Sequence, residues 1–297
     1  MKHYLGIDGG GTRTTAAVSD ESGNILLKKA GKTINFYSVG MDTARDNLDR
    51  LIDEICAELN CDGFEGVFVG CSALDDKADE ATLKALCGNI NAKAIEMNSD
   101  LYIALKSMGD VECPCVAICG TGSMAIGTDK DGNTLVSGGW GHIIGDEGSG
   151  YAIAVNALKL CCELCDKGEA SPLLEAAENY FGVTDFRKAI DVIYSEETTK
   201  DKIAGFASDV GKLVQTDETA KNIVTTEAHS FAKTVLILLG KVGSCSALGL
   251  YGGIFVHNFS FTETFKSDIK AFYPDLEIKL LTVPPEESAL ELARNLK

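Results

Sequence analysis

The sequence predicts an α/β protein of duplicated architecture, two halves that each open on a glycine-rich hairpin. The first observation is Leu5-Gly-Ile-Asp-Gly-Gly-Gly-Thr-Arg-Thr-Thr15, an apolar run ending on Asp8, then three glycines and a hydroxyl, then a second strand pattern to Ser19. It reads as strand, tight turn and strand rather than as a strand entering a helix. The second is its repetition in Val116-Ala-Ile-Cys-Gly-Thr-Gly-Ser-Met-Ala-Ile-Gly-Thr128. The third is that an Asp-x-x-Gly-Asn turn follows each hairpin, at Asp20 to Asn24 and again at Asp129 to Asn133. One such hairpin has an ordinary reading as a glycine turn. A matched pair implies a nucleotide held between two copies. Glycines let backbone amides close on an anion as a nest, and Asp8 ends its strand where a hydrated Mg²⁺ would bridge carboxylate and phosphate.

The remaining elements follow in order. Ile25 to Lys29 is a third strand and 31–40 a loop. Met41 to Leu59 carries Leu48, Leu51, Ile52 and Ile55 at helical spacing, an amphipathic helix. Gly66 to Cys71 is a buried strand running out at Ser72, Glu80 to Cys87 a helix and Ala92 to Met97 a strand. Ser99 caps a helix that begins at Asp100 and ends near Met108. The halves meet near Glu112-Cys-Pro-Cys115, where a proline interrupts the pattern. Leu135 to Ser137 is the third strand of the second half, and 138–150 is a loop with six glycines in thirteen residues. Tyr151 to Cys165 is helical, as are several segments of 171–240. Ala247 to Gly253 is a strand ending in a Gly-Gly turn, and Leu276 to Leu281 one more. Pro284-Pro285 starts a last helix, Glu286 to Leu296, with Lys297 at its end.

Composition bounds the function. A net charge of −17 argues against nucleic acid or an anionic membrane as partner, and obliges a phosphate site to rely on amides and metal. Met1-Lys-His leads straight into the first strand without a secretion signal, and the longest apolar run, Val235 to Leu239, is too short to cross a bilayer. Eleven cysteines without matched pairs at metal spacing read as reduced, buried, inert thiols in a cytosol. There is no Gly-x-x-x-x-Gly-Lys-[Ser/Thr] and no Gly-x-Gly-x-x-Gly, so phosphates fall to the two hairpins.

Three places carry chemistry. Asp100, at the head of a helix just after a strand, is the right group for a base taking a proton from a substrate hydroxyl; the plainer alternative is an acid favoured by the helix dipole. Asp146 and Glu147 lie in the glycine loop, where acids accept hydrogen bonds from sugar hydroxyls and Trp140 offers a flat face to a sugar ring or an acyl methyl. A solvated surface loop is the alternative. Gly252-Gly253 either lets a flat base approach the backbone or is only a turn.

These residues carry a resemblance. Gly6-Ile-Asp-Gly-Gly-Gly-Thr12, Asn35, Asp100, Gly120-Thr-Gly-Ser123, Gly138-Gly-Trp-Gly-His142, Gly145-Asp-Glu-Gly-Ser-Gly150 and Gly252-Gly253 resemble the BadF/BadG/BcrA/BcrD-type ATPase family, within it the N-acetylglucosamine kinase branch, over nearly the whole chain. The resemblance implies two ribonuclease H-like (actin-like ATPase) domains with a nucleotide and sugar cleft between them. The domains would be 1–113, joined by the C-terminal helix 286–297, and 114–285. It implies Asp100 as the base on the sugar 6-hydroxyl and Asn35, Ser72, Trp140 and Asp146 on the sugar. Asp8 would serve Mg²⁺, Gly10, Gly11, Thr12, Gly120, Thr121, Gly122 and Ser123 the phosphates of ATP, and Gly252 and Gly253 the adenosine. Where many relatives have Gly-Ala before the last helix, this chain has Glu286-Glu-Ser288.

The expected activity is therefore ATP-dependent phosphorylation of an amino sugar, with N-acetylglucosamine to its 6-phosphate preferred. The rivals are a kinase of glucosamine or another hexose, an activator-type ATPase of a 2-hydroxyacyl-CoA dehydratase, and a sugar sensor without turnover. The zinc motif of ROK sugar kinases is absent. The expected partners are a small-molecule sugar and ATP, without nucleic acid or membrane; a homodimer is an open option, and the expected location is cytoplasmic.

Overall fold

The computed structural model describes residues 2–74 and 77–296. The chain forms two compact units, one comprising residues up to Gly109 together with the segment from Thr282, the other Asp110–Leu281. Lys297, expected at the end of the last helix, lies outside the described residues.

The first unit is built on β1 (Tyr4–Gly9), β2 (Arg13–Ser19), β3 (Ile25–Lys32), β4 (Phe64–Cys71) and β5 (Ala92–Asn98). Their order is β3-β2-β1-β4-β5, with β1 antiparallel to β2 and parallel to β4. Leu5, Ile7, Val67 and Val69 point to one face, where they pack with Leu48, Leu51, Ile52 and Ile55 of α2 (Met41–Leu59). The period-2 alternation of the strands meets the 3.6-residue period of the helix there, and each such side chain contributes about 1.5–3 kcal/mol by leaving water. Between β3 and α2 lies α1 (Phe36–Val39), inside the expected 31–40 loop. Its helical turn is set by Asn35, whose Oδ1 accepts from the Tyr37 and Ser38 amides. α3 (Glu80–Cys87) and α4 (Asp100–Lys106) follow, α4 capped by Ser99 through Tyr102 N–H at 3.2 Å.

The other face is covered by the end of the chain, α13 (Pro285–Arg294), with Ala289 and Ala293 packed on Phe68 and Ile103. Glycine on the sheet makes this possible. A Cβ on Gly6 would stand 2.1 Å from Leu290 N, and one on Gly66 2.2 Å from Ala293 O. The helix backbone therefore lies directly on the strands.

The second unit repeats the plan with β6 (Cys115–Cys119), β7 (Ser123–Thr128), β8 (Thr134–Gly138), β9 (Ala247–Tyr251) and β10 (Glu277–Leu280). The order is β10-β9-β6-β7-β8, the same topology as the first sheet in every position. Its helices are α5 (Gly150–Lys167), α6 (Pro172–Phe181), α7 (Ala189–Ile193) after the 3₁₀ turn Phe186–Lys188, α8 (Lys200–Gly205), α9 (Ala207–Leu213), α10 (Glu218–Val242), α11 (Gly253–His257) and α12 (Phe259–Phe272). The core joins Phe231, Val235, Leu238 and Leu239 of α10 to Phe261, Phe265 and Ile269 of α12 and to Ile153 and Ala157 of α5.

Three expectations change. Gly253 opens α11 instead of completing a Gly-Gly turn. The sequence reading assigns no helix to Phe259–Phe272, yet its buried Phe261, Phe265 and Ile269 stand four residues apart behind the Asn258 cap. The eleven cysteines are free, and against the expectation of buried thiols Cys162 is exposed and Cys56, Cys61, Cys165 and Cys245 are only half-buried. No helix among the described residues is long and apolar enough to cross a membrane.

Candidate functional site

In the first unit the candidate residues gather along one sheet edge. β1, β4 and β5 run parallel, in a register that sets Asp8 opposite Gly70 and Gly70 opposite Asn98. Asp8, Ser72 and Asp100 therefore stand at or just past the carboxyl ends of three adjacent strands, where open α/β sheets bind ligands. The first hairpin is tied down from both sides. Ser72 N–H donates to Gly9 O at 2.8 Å, and the Thr33 hydroxyl to Gly10 O at 2.7 Å. Asn35 is buried, and while its Oδ1 caps α1 its Nδ2 donates to Ser72 Oγ at 2.9 Å. That contact leaves the Ser72 hydroxyl proton to be donated elsewhere. Asn35 and Ser72, 37 positions apart, are thus brought together; Thr33 joins them and carried no sequence signal of its own.

The carboxylates are perturbed. Burial pushes Asp100 from 3.8 up to about 6, against the lowering effect of the amides at the start of α4. Asp8 rises to about 7, through burial first, then the charges of Asp100 and Glu286, with Arg13 opposing. Asp100 ionises first, so its charge is felt by Asp8, which is still neutral at that point. Glu286 is close for a structural reason. α13 lies on Gly6, and Glu286 Oε2 accepts from Thr15 Oγ1 at 3.3 Å, Thr15 being the cross-strand partner of Asp8. Glu286, in the first turn of α13, is thus a third carboxylate felt at the strand end.

In the second unit the hairpin lacks that chemistry. The position matching Asp8 is Cys119, buried, its thiol donating to Gly148 O at 3.2 Å. The hydroxyls of this hairpin also donate inward, Thr121 Oγ1 to Asp201 Oδ1 at 2.7 Å and Ser123 Oγ to Glu147 O at 2.7 Å. Backbone amides remain the groups for an anion. The start of α5 abuts the turn, with Gly150 N–H on Gly120 O at 2.8 Å, and adds the positive end of a helix dipole. Gly252, at φ +111°, must be glycine, since a Cβ would lie 2.3 Å from Cys119 O. The two predicted nucleotide segments, 120–123 and 252–253, are thereby adjacent. They open on a cavity of about 530 Å³ lined also by Ala204, Gly205, Ile254 and Asn258.

The glycine-rich loop divides. Trp140 is exposed, as are His142, Ile143 and Ile144, and Glu147 points to solvent. Asp146 is buried at φ +62°, with Oδ2 2.7 Å from Lys200 Nζ, and a Cβ on Gly122 would touch that same oxygen at 2.9 Å. Through Oδ2 it braces the second hairpin. Lys200, the N-terminal residue of α8, was invisible as a site residue; the Thr199 cap before it was the available signal. Glu227, buried on α10, holds the loop by accepting from Gly148 N–H at 2.7 Å and Asn156 Nδ2 at 2.5 Å.

Two five-stranded sheets of one topology, each headed by a glycine hairpin, define an actin-like ATPase fold. A Chromobacterium violaceum crystal structure, provisionally described as an N-acetylglucosamine kinase, shares that fold with a TM-score of 0.76 at 19% identity over 99% of both chains. More particularly, the chain belongs to the BadF/BadG/BcrA/BcrD ATPase family, whose model matches residues 5–289. It is 28% identical to the N-acetylmuramic acid/N-acetylglucosamine kinase of Clostridium acetobutylicum over 99% of each chain. It is 26% identical to the N-acetyl-D-glucosamine kinase of Dictyostelium discoideum, over 99% of this chain and 98% of that one.

Proposed function

We propose that the chain is an ATP-dependent sugar kinase that phosphorylates an amino sugar, with N-acetylglucosamine as preferred acceptor and its 6-hydroxyl as nucleophile. The observation that carries this is Asp100, a carboxylate raised to about 6 just past the end of β5, the strand adjacent to β4, whose end leads into Ser72 and its partner Asn35. A group of that pKa is ionised at neutral pH yet basic enough to take a proton as the hydroxyl oxygen attacks phosphorus. Asn35 and Ser72 supply amide and hydroxyl donors to orient the sugar, and Trp140 an apolar face for the acyl methyl. The amides of Gly10 to Thr12 and Gly120 to Ser123 hold phosphate oxygens, and Gly252 and Gly253 admit the adenosine into the cavity beside them.

Mg²⁺ fits the first hairpin. Asp8 offers a hard oxygen ligand, and its crowding by Asp100 and Glu286 is relieved by a dication. Among the described residues no group of three His, Cys, Asp or Glu side chains is arranged to hold an ion, which suits one held by a single carboxylate, waters and phosphates. Bound there, the ion would offset phosphate charge during transfer.

The test is ADP release from Mg-ATP with N-acetylglucosamine, glucosamine, N-acetylmannosamine, glucose or no sugar, beside Asp100→Asn. Turnover that depends on one amino sugar and is lost in the variant is expected. Sugar-independent hydrolysis unaffected by the substitution would overturn the proposal.

A further inference from the structure

We infer that Asn258 reads the base of the bound nucleotide, donating a hydrogen bond from Nδ2 to one unprotonated ring nitrogen of adenine. The inference rests on the reading of the second-unit cavity as the adenosine site. Asn258 is 7% exposed and lines that cavity. Its amide cannot be turned round. Oδ1 caps α12 by accepting the Phe261 N–H at 3.1 Å, a donor that only the oxygen can satisfy. The nitrogen is therefore the end that remains.

Space has been left for that nitrogen. It faces Gly211 of α9, another lining residue, where a Cβ would lie 3.2 Å away. Among the described residues Nδ2 makes no hydrogen bond. Nδ2 lies at the cavity wall and is not sealed from solvent, so with the acceptor spent on the cap its donors are open to a ligand acceptor. The walls around it suit a flat heterocycle, since Ala204, Gly205, Ala207 and Ile254 present small or apolar surface. Lys212, also in the lining, is engaged by Asp209 at 2.7 Å. Asn258 is thus a donor in a largely apolar slot, and adenine carries ring-nitrogen acceptors on its edge.

The experiment measures binding of ATP, its 1-deaza, 3-deaza and 7-deaza analogues and inorganic tripolyphosphate by calorimetry, without sugar. Wild type is compared with Asn258→Ser and Asn258→Asp, both of which keep an oxygen for the α12 cap. One lost neutral hydrogen bond is about tenfold in affinity. Wild type should lose about that factor to one deaza analogue alone. Asn258→Ser should lose it for ATP and nothing further for that analogue, and Asn258→Asp should lose more, while tripolyphosphate binds all three alike. The inference is overturned if either folded variant binds ATP as tightly as wild type, or if every ligand weakens equally. A wild type that fails to bind ATP would sink the nucleotide reading and this inference with it. Normal ATP binding by the variants would sink only the inference.

Discussion

Asp100→Asn should stabilise the protein while abolishing its chemistry. Folding moves this carboxyl from 3.8 to about 6, so between those values the folded state binds more protons than the unfolded one, and stability falls as pH rises through that window. Above pH 6 the folded protein carries the full cost of holding the charge. About two pKa units at 1.36 kcal/mol each set a ceiling near ~3 kcal/mol, and the partial exposure of Asp100 lowers the expectation to about 2 kcal/mol. Asparagine is nearly isosteric, keeps an oxygen for the α4 amides and removes the charge that raises Asp8. Urea unfolding of wild type and variant, without nucleotide or divalent cation, should show the variant about 2 kcal/mol more stable at pH 7.5. The gap should shrink as pH falls from 6 and close only below 3.8, where the carboxyl is protonated in both states. In sugar-dependent turnover the same variant should lose about 10²–10⁴-fold, the usual worth of a positioned base. A variant no more stable at pH 7.5, or a gap that ignores pH, would refute the burial argument whatever happened to turnover.

Three further outcomes are expected. In wild type, kcat/KM should fall on the acid side with an apparent pKa near 6, because the base must be ionised; an acid limb near 4 would remove Asp100 as its source. Lys200→Met leaves Asp146 buried without its partner and should cost about 2–3 kcal/mol, most of it recovered in Lys200→Met with Asp146→Asn; additive losses in that cycle would contradict a coupled pair. Gly6→Ala forces a methyl into the backbone of α13 and should cost at least about 2 kcal/mol in thermal unfolding, where Gly11→Ala, with nothing within 4 Å, should be mild.

The sequence by itself determined the duplication and the hairpin that opens each half. Hydrophobic alternation, glycine turns and Asp-x-x-Gly-Asn loops are local signals, and each half repeats them in the same order. Asp8, Asp100 and both hairpins were legible for the same reason: a carboxylate or a glycine cluster at a strand end is a statement about neighbours along the chain. What only the tertiary structure decided are meetings between distant segments. Asn35 finds Ser72 because β3 leads into α1 beside the end of β4. Glu286 reaches the face of Asp8 because α13 returns to lie on Gly6. Asp146, read as a sugar ligand from its loop, is turned inward by a left-handed backbone and held by Lys200 from another helix. Asn258 gains its meaning only once the α12 amide fixes its oxygen and Gly211 makes room for its nitrogen. Local patterning records the preferences of neighbouring residues; which polar atoms are left for a ligand depends on contacts whose partners lie far apart along the chain.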